Sequence, residues 1–573
     1  MRHTIPAAAN RSRFHLLAVA ALLASSLLPT TGARAANFWV GNNGNPPCTH
    51  ATLQAAIETA VGSAGDDVIS LVGPGPFTGP FTVFGGGIHI RGNVGSCGSD
   101  TSVGYATLRA PSGSRPLTIL MGGAETVRLQ RVILTTDGGT YNGDGGAIWF
   151  AGANNDSYLD LIDAQVVSSV ANGDGGGIYV SAGKLGISIS ALVGANAASH
   201  GGGIAARNGA LVEVRSGMVL GNTALFDGGG IYAPDSAVNV INAADPQTGT
   251  VSNNIAGQKG GGLYLGGGFV DIFTSQGRAY PPARIGGNQA QWGGGLYVDG
   301  ADVRLRYVSV DHNTAFGDGG GVYATGNGAV VTNGFLEPIP LDGFPRLDGN
   351  SAGDGAALFL AANAGVILNS GRMRDNHGAA GAAMVAATGT GSSILNGVTM
   401  QNNALFALIG LAGSGSLDLL HLSIAGNTVA GLVRWRGADS ILYFTNSALD
   451  ETEPFFASVE NPSSPAQLTC VVSKWATPFA NVPPNTVSIS AMIADPQFVA
   501  PPADLHLRYG SPAIDLCARN EFVDSDGDAR SYDDPYHSSG EFPLADAGAD
   551  ETTVLFVDAI EAGAFAGWSG RVP

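Results

Sequence analysis

The most regular feature of the chain is an alternation of apolar and polar residues. Segments such as DVRLRYVSV (302–310) and GALVEVRSGMVL (209–220) place apolar side chains at every second position. A period of two is typical of a β-strand with one buried face. A helical pattern occurs in LQAAIETA, whose apolar residues on one helix face are Leu53, Ala56, Ile57 and Ala60. The pattern therefore predicts an all-β protein with one short capping helix.

Nearly identical glycine strings separate the alternating segments, as in NTALFDGGGIYA (222–233) and NTAFGDGGGVYA (313–324). The aliphatic residue after the glycines recurs at Ile148, Ile178, Ile204, Ile231, Leu263, Leu296, Val322, Leu358 and Met384. These positions are 26 to 36 residues apart, which is typical of a solenoid. Leucine-rich, ankyrin and tetratricopeptide repeats do not fit, because their leucine and helix patterns are missing. The repeat predicts a single-stranded parallel β-helix of about a dozen coils.

The repeated string also has a physical interpretation. We expect the glycines to form a corner that needs positive φ and has no room for a Cβ. The aliphatic residue that follows would point into the core. The Asn at the start of each string would adopt the left-handed conformation and hydrogen-bond the equivalent Asn of the next coil.

Composition and charge narrow the function. Glycine accounts for 86 of 573 residues and charged residues for 13%, whereas 44% are apolar, enough for a folded core. Residues 1–35 have the features of an export signal, with early arginines, an apolar run and a small-x-small cleavage motif. Removing them leaves 23 basic and 46 acidic residues, a net charge of −23. This charge disfavours nucleic acids and anionic lipids as partners.

The four cysteines lie outside the glycine-rich middle of the chain. In an exported protein they suggest two disulfides, and we expect Cys48–Cys97 and Cys470–Cys517, since each pair lies within one terminal region. Free buried thiols are the alternative. No later apolar segment is long enough to cross a membrane, so we expect no integral membrane segment in the mature chain and a secreted or cell-surface location.

The same patterns divide the chain into four parts. After the signal peptide (1–35) we expect an N-terminal cap with the first coils (36–105) and a repeat body (106–450). The last part, 451–573, is rich in proline and has lost the repeat.

Two motifs resemble known families. The N-x-A and GG-[AG]-[ILV]-[YWF] units resemble the repeats of polymorphic outer membrane proteins and related bacterial β-helices. The segments DPQFVAPPADLHLRYGSPAIDLC (495–517) and DSDGDARSYDD…ADAGADE (524–551) resemble the C-terminal signature of choice-of-anchor surface proteins. The resemblance implies a secreted or surface right-handed parallel β-helix of the pectin lyase-like type, in families whose activity is mostly unassigned.

Acidic residues suggest two candidate calcium sites. The residues before the glycines include Asp144, Asp174, Asp318 and Asp354, which would place carboxylates one coil apart. Structural Ca²⁺ would relieve their repulsion, although each Asp could instead cap its own turn. The second site is an acidic turn without the EF-hand spacing, formed by Asp524, Asp526 and Asp528.

Aromatic residues follow the inward aliphatic position in most coils. Strand alternation predicts that their rings point outward as an exposed column. Its members are Trp149, Tyr179, Tyr232, Tyr264, Tyr297, Tyr323 and Phe359. Such a column could bind an extracellular glycan or another cell-surface component, or could simply stabilise the stack of coils.

Catalysis remains the competing hypothesis. Pectinase-type β-helices require several acid, His and Arg or Lys motifs on neighbouring coils, and the sequence contains only fragments such as His200-Gly201 and His377-Gly378. We therefore expect no catalytic residues and no cofactor apart from structural Ca²⁺. The sequence favours a non-catalytic binding or adhesion protein over a polysaccharide lyase or hydrolase. Two acids converging with an Arg or His in a groove would reverse that preference.

Overall fold

The protein folds into a right-handed parallel β-helix. The computed structural model describes residues 35–41, 48–63, 65–136, 138–242, 249–274, 281–326, 330–332, 345–437, 439–460, 466–475, 482–483, 486–508, 510–514, 516–518 and 544–548. Each complete coil follows the same route through four faces. The chain runs along a first and a second face, crosses a very short third face after an Asn corner, and reaches a fourth face after the glycine corner.

Parallel pairing with the next coil joins the strands of every face. The first face contains Asn37–Val40, Asp67–Val72, Ile88–Val94, Thr126–Gln130, Tyr158–Ile162, Lys184–Ser188, Leu211–Arg215, Ala237–Asn242, Phe269–Thr274, Asp302–Arg306 and Val330–Thr332. The second face contains Phe77–Thr78, Ala106–Ala110, Val132–Thr136, Gln165–Val167, Leu192–Gly194, Met218–Leu220, Thr250–Ser252, Ala283–Gly286, Val308–Asp311 and Arg346–Asp348.

Later coils extend these two faces. The strands there are Gly365–Arg374, Ser393–Gln401, Ser416–Leu420, Ser423–Ala425, Ile441–Asp450, Ala466–Ser473 and Val487–Ile493. The third face contains Thr140–Tyr141, Val170–Ala171, Ala197–Ala198, Thr223–Ala224, Ile255–Ala256, Gln289–Ala290, Thr314–Ala315, Ser351–Ala352 and His377–Gly378.

The fourth face carries the strands that follow the glycine corners. They are Phe81–Phe84, Leu117–Leu120, Ile148–Ala151, Ile178–Ala182, Ile204–Ala206, Ile231–Ala233, Leu263–Leu265, Leu296–Asp299, Val322–Thr325, Leu358–Leu360, Ala383–Ala387, Ala407–Leu411, Gly431–Trp435 and Phe456–Val459. Two antiparallel pairs lie in the C-terminal region, Phe498–Ala500 with Asp504–Leu507 and Cys517–Ala518 with Leu544–Ala545.

The inward aliphatic residues stack in register, as the repeat predicted. Ile231 pairs with Leu263, which pairs with Leu296, and all three are fully buried. A buried side chain of this size contributes about 1.5–3 kcal/mol, so the column is a large part of the core. One assignment was wrong: Leu358 pairs with Val385 rather than Met384. This corner has lost the run of consecutive glycines and keeps Gly381, and the register moves by one residue.

The glycine corner has the predicted geometry. Gly228 has φ +65°, which glycine adopts without strain. A Cβ on the next residue, Gly229, would lie 2.4 Å from the carbonyl oxygen of Gly261 in the following coil. The glycines are therefore required by both the backbone conformation and the close stacking of coils.

A column of buried asparagines forms the opposite corner. Its members are Asn196, Asn222, Asn254, Asn288, Asn313, Asn350, Asn376, Asn403 and Asn427. Each side-chain amide donates to the Oδ1 of the next Asn, and this column of hydrogen bonds ends at Glu451, where Asn427 Nδ2 donates to Oε1 at 2.7 Å.

The predicted backbone conformation of these asparagines was wrong. In this corner the left-handed residue is the one before each Asn, for example Asn253 at φ +54° and His312 at φ +54°. The Asn itself turns inward, because its amide must reach both neighbouring coils.

The N-terminal end agrees with the sequence pattern. Helix α1 (Leu53–Val61) begins after an N-cap at Thr52, buries the four predicted apolar residues, and packs against the first strands. Residues 1–34, which hold most of the predicted signal peptide, lie outside the described residues.

Both predicted disulfides, Cys48–Cys97 and Cys470–Cys517, are present. The second one attaches the C-terminal region, whose Phe498, Leu505 and Ile514 pack on the outside of the last coils. In the described part of the chain, no helix is long and apolar enough to span a membrane.

Candidate functional site

The predicted aromatic column is a continuous stack over five coils, from Tyr232 to Phe359. Neighbouring ring centroids are 4.8–5.5 Å apart, and the rings from Tyr264 onward are nearly parallel. The expectation of an exposed column of ring faces was wrong. Each ring covers its neighbours, so Tyr297 is only 7% exposed and Phe359 8%. Ring edges and hydroxyl groups, rather than ring faces, are directed outward.

Burial also affects the chemistry of these phenols. It raises the pKa of Tyr232, Tyr264, Tyr297 and Tyr323, so that their hydroxyl groups remain protonated over the physiological range. Lys259 Nζ lies 4.9 Å from the ring centroid of Tyr297, close enough for a cation–π contact. The Arg207 guanidinium lies 4.8 Å from the ring centroid of Tyr232, so the column provides a rigid row of neutral hydroxyl donors with a cation over two of its rings.

Ala205 interrupts the column, and Trp149 and Tyr179 lie beyond this interruption. The ring of His200, from the preceding glycine corner, fills part of the gap and stacks on Tyr232 at 4.8 Å. Trp149 instead has the guanidinium of Arg115 5.9 Å from its ring centroid. Of the seven predicted aromatic residues, five thus form one stack.

Arg434 terminates the other end of the stack. Its position in the column follows Phe359, Ala386 and Gly410, and its side chain reaches back to place Nη2 2.6 Å from Asp354 Oδ2. A Cβ on Gly410 would lie 2.7 Å from Arg434 Nη2, which explains the small residues between the two partners. The Arg434 side chain is 4% exposed.

The predicted carboxylate column has mostly acquired protein partners. Asp174 lies 3.0 Å from His200 Nδ1 and 2.8 Å from Arg207 Nη2. Burial raises the pKa of Asp174, but hydrogen bonds from His200 and Arg207 outweigh it and the pKa is lowered. Asp144 Oδ1 accepts a hydrogen bond from the Asp174 backbone N–H at 2.8 Å.

Asp318 and Asp354 are in-register neighbours, as expected. Burial and the adjacent Asp354 raise the pKa of Asp318. The described residues contain no group of three or more His, Cys, Asp or Glu side chains that could hold a metal. Asp524, Asp526 and Asp528 lie outside the described residues, so the acidic turn remains a prediction.

Two acids, a His and an Arg do converge around His200. Asp227 Oδ2 lies 3.9 Å from His200 Nε2, on the opposite side of the ring from Asp174. Burial raises the pKa of Asp227, whereas the pKa of Asp174 is lowered. Phe226 and Tyr232 pack against the His200 ring, with centroids 5.3 and 4.8 Å away. The polar groups therefore contact one another: Asp174 lies between His200 and Arg207, and His200 lies between the two carboxylates.

The sequence interpretation missed a neighbouring set of exposed apolar residues, which we name the apolar strip. Its members and their exposed fractions are Leu225 65%, Phe226 37%, Ile255 45%, Trp292 36% and Phe316 70%. They lie between the Asn corner and the glycine corner of four consecutive coils. Clusters of exposed apolar side chains often occur at interaction sites, which makes the apolar strip a candidate binding surface.

Backbone hydrogen bonds hold the strip in place. Gln258 N donates to Phe226 O at 2.8 Å, and Trp292 N donates to Gln258 O at 2.9 Å. Phe316 N is bonded in the same way to Ala290 O at 3.0 Å. The backbone positions that carry the rings and the side chains of Gln258 and Gln291 are thus held at the regular spacing of the coils.

A sequence signal for the strip did exist. Three of four successive strings, NTALFD, NQAQW and NTAFGD, have an apolar residue between the buried Ala and the glycines, and the fourth, NIAGQK, has Ile255 just before the Ala. A turn of this kind normally carries polar residues.

No protein-family model matches the chain, and no curated protein matches its sequence.

Proposed function

We propose that this protein is an extracellular, non-catalytic binding protein that holds a glycan against the apolar strip. The observation that carries the proposal is the exposure of Phe226, Trp292 and Phe316 on three of four consecutive coils, beside the tyrosine column. Aromatic rings flanked by amide and charged groups suit sugars, which present both C–H faces and hydroxyl groups. Gln258, Gln291 and Lys259 supply the polar groups here.

The aromatic column supports this surface. Because its members are stacked, the tyrosines are rigid and bind with little loss of conformational freedom. Their protonated hydroxyl groups would donate to sugar oxygens at the edge of the strip. The five stacked residues from Tyr232 to Phe359 therefore belong to the proposed site as a base and a polar border, whereas Trp149 and Tyr179 lie on earlier coils.

The wider biological role is also part of the proposal. Two disulfides fit an oxidising, extracellular environment. With the predicted signal peptide and the resemblance to polymorphic outer membrane and choice-of-anchor proteins, they favour a secreted or surface-attached adhesion protein. A structural Ca²⁺ at Asp524, Asp526 and Asp528 would belong to its C-terminal region. If a chelator leaves the thermal stability of the mature chain unchanged, that part is wrong.

A glycan array probed with the mature chain (36–573) tests the binding function. We expect retention on specific glycans, and a decrease of about tenfold or more for Trp292→Ala and Phe316→Ala, since each removes a contact ring. Phe84→Ala is the matched control, because Phe84 is 66% exposed but lies outside the strip. Equal retention by all three variants would contradict the proposal.

The His200 cluster favours a second candidate, a glycan-cleaving enzyme. Asp174 and Asp227 have pKa values shifted in opposite directions, as a base and an acid in one site would. A reducing-sugar assay with the wild-type chain and Asp227→Asn decides between the two. If the wild-type chain releases sugar and Asp227→Asn does not, the protein is a glycan-cleaving enzyme and the binding proposal is wrong.

A further inference from the structure

The outward residues of the second face change from uncharged to charged along the solenoid. On the five strands from Val132–Thr136 to Thr250–Ser252, the outward positions hold no ionisable residue. The next four strands carry four arginines, in a chain with only 27 Lys and Arg in total. We name this group the arginine patch: Arg284, Arg346, Arg372 and Arg374.

Three of these arginines have carboxylate partners. Arg284 Nε lies 2.8 Å from Asp311 Oδ1, and Arg374 Nε lies 3.0 Å from Asp375 Oδ2. Arg372 pairs with Asp348, with Nε 3.3 Å from Oδ1. All three keep 29–41% of their side-chain surface exposed.

Arg346 is different. Within the described residues its side chain makes no hydrogen bond or ion pair, and the centroid of the Tyr307 ring lies 6.0 Å from its guanidinium carbon. Its in-register neighbours are Ser309 on one side and Arg372 on the other. Like charges directly opposite each other on paired strands are destabilising, so this arrangement favours a bound anion.

We infer that Arg346 and Arg372 form a second binding site, specific for the carboxylate or sulfate groups of an acidic glycan. A guanidinium presents donors in a planar fork that binds such groups in a bidentate manner. No described residue accepts a hydrogen bond from the Arg346 guanidinium, while Arg372 can donate from the edge that Asp348 does not use. Ser309 and Thr399, in the same column, add hydroxyl groups on either side.

The surrounding charge favours a polysaccharide over a nucleic acid. The patch has an excess of only one positive charge when Asp311, Asp348 and Asp375 are counted, and the mature chain is strongly acidic. Such a surface repels the dense phosphate charge of a nucleic acid but accepts widely spaced carboxylates. The inference does not depend on the apolar strip, which lies on another face.

Affinity electrophoresis of the mature chain in gels containing polygalacturonate, heparin, neutral dextran or duplex DNA tests the site. We expect retardation by polygalacturonate or heparin and none by dextran or DNA; retardation by polygalacturonate, whose only acidic groups are carboxylates, would show that sulfate is not required. Arg346→Gln should weaken the retardation about tenfold. Arg436→Gln is the matched control, because Arg436 pairs with Glu460 on the fourth face.

Arg346→Glu distinguishes a loss of binding from a folding defect, because it should abolish retardation without lowering stability. It places a carboxylate beside Arg372, so we expect an unfolding temperature at least equal to that of the wild type together with complete loss of retardation. Retardation unchanged in Arg346→Glu, absent in the wild type, equal in dextran, or at least as strong with DNA would overturn the inference. Trp292→Ala should still be retarded, which separates this site from the apolar strip.

Discussion

Two columns of stacked side chains run along this solenoid and meet different requirements. The asparagine column is buried and unbroken over nine coils, and every amide bonds to both neighbours. The aromatic column is partly exposed, is interrupted at Ala205, and ends at Arg434. A buried polar group cannot lose its partner cheaply, whereas an outward ring can be exchanged for Ala or Gly. The outward positions of the aromatic column can therefore vary in sequence and acquire a function, whereas those of the asparagine column cannot.

The largest expected effect is a break in the asparagine column. Asn288→Ala removes the acceptor of Asn254 N–H and Nδ2 and the donor to Val251 O, each at 3.0 Å. We expect the free energy of unfolding to fall by about 4 kcal/mol. Urea denaturation measures it, with Gln289→Ala, on the exposed side of the same coil, as a control expected to cost under about 0.5 kcal/mol. Equal costs would contradict the difference between the columns.

The second effect depends on pH at the end of the asparagine column. Burial raises the pKa of Glu451 from its ordinary value to about 7, although Asn427 donates to it. The folded state therefore holds this proton more tightly than the unfolded state, so stability is greatest below about pH 4.5 and falls as the pH rises to about 7. The loss is about 3 kcal/mol.

Urea denaturation at pH 5 and pH 8 measures this contribution. Glu451→Gln keeps an acceptor for Asn427 and removes the titration, so its pH dependence should be smaller than that of the wild type by about the same amount. An identical pH dependence in both proteins would show that Glu451 does not titrate in this range.

The aromatic column should yield a smaller loss. Tyr297→Ala removes a ring with stacked neighbours on both sides, and we expect a cost of about 2 kcal/mol because one edge already meets solvent. Differential scanning calorimetry measures the shift, and Tyr297→Phe, which keeps the stack, should restore most of it. If Tyr297→Phe were as unstable as Tyr297→Ala, the hydroxyl group rather than the stacking would be responsible.

The smallest effect on stability is expected in the apolar strip. Phe316→Ala changes a side chain that is 70% exposed, so the free energy of unfolding should stay within about 0.5 kcal/mol of the wild type. A loss comparable to that of Tyr297→Ala would mean that the strip is part of the packing and is not available to a ligand.

Much of the fold could be predicted from the sequence, because every coil has the same steric and packing requirements at equivalent positions. The glycines before Ile231 and Leu263 occur where a Cβ would meet the next coil, and the period of two identified the strands. The conformation of the asparagines and the register at Met384 were wrong, since hydrogen bonding and the loss of glycines decide them locally. The pattern could not reveal that Arg434 reaches Asp354 across 80 residues.

The central claim is that successive coils stack in register at the positions that the repeat defines. Thr223 and Ile255 are outward in-register partners on the third face, at a strand spacing of about 4.8 Å that a disulfide can bridge. We predict that Thr223→Cys/Ile255→Cys forms a cross-link on mild oxidation, detected by peptide mass, whereas Thr223→Cys/Ala256→Cys does not. A cross-link in the second pair and none in the first would contradict the stacking on which the fold and both proposed sites depend.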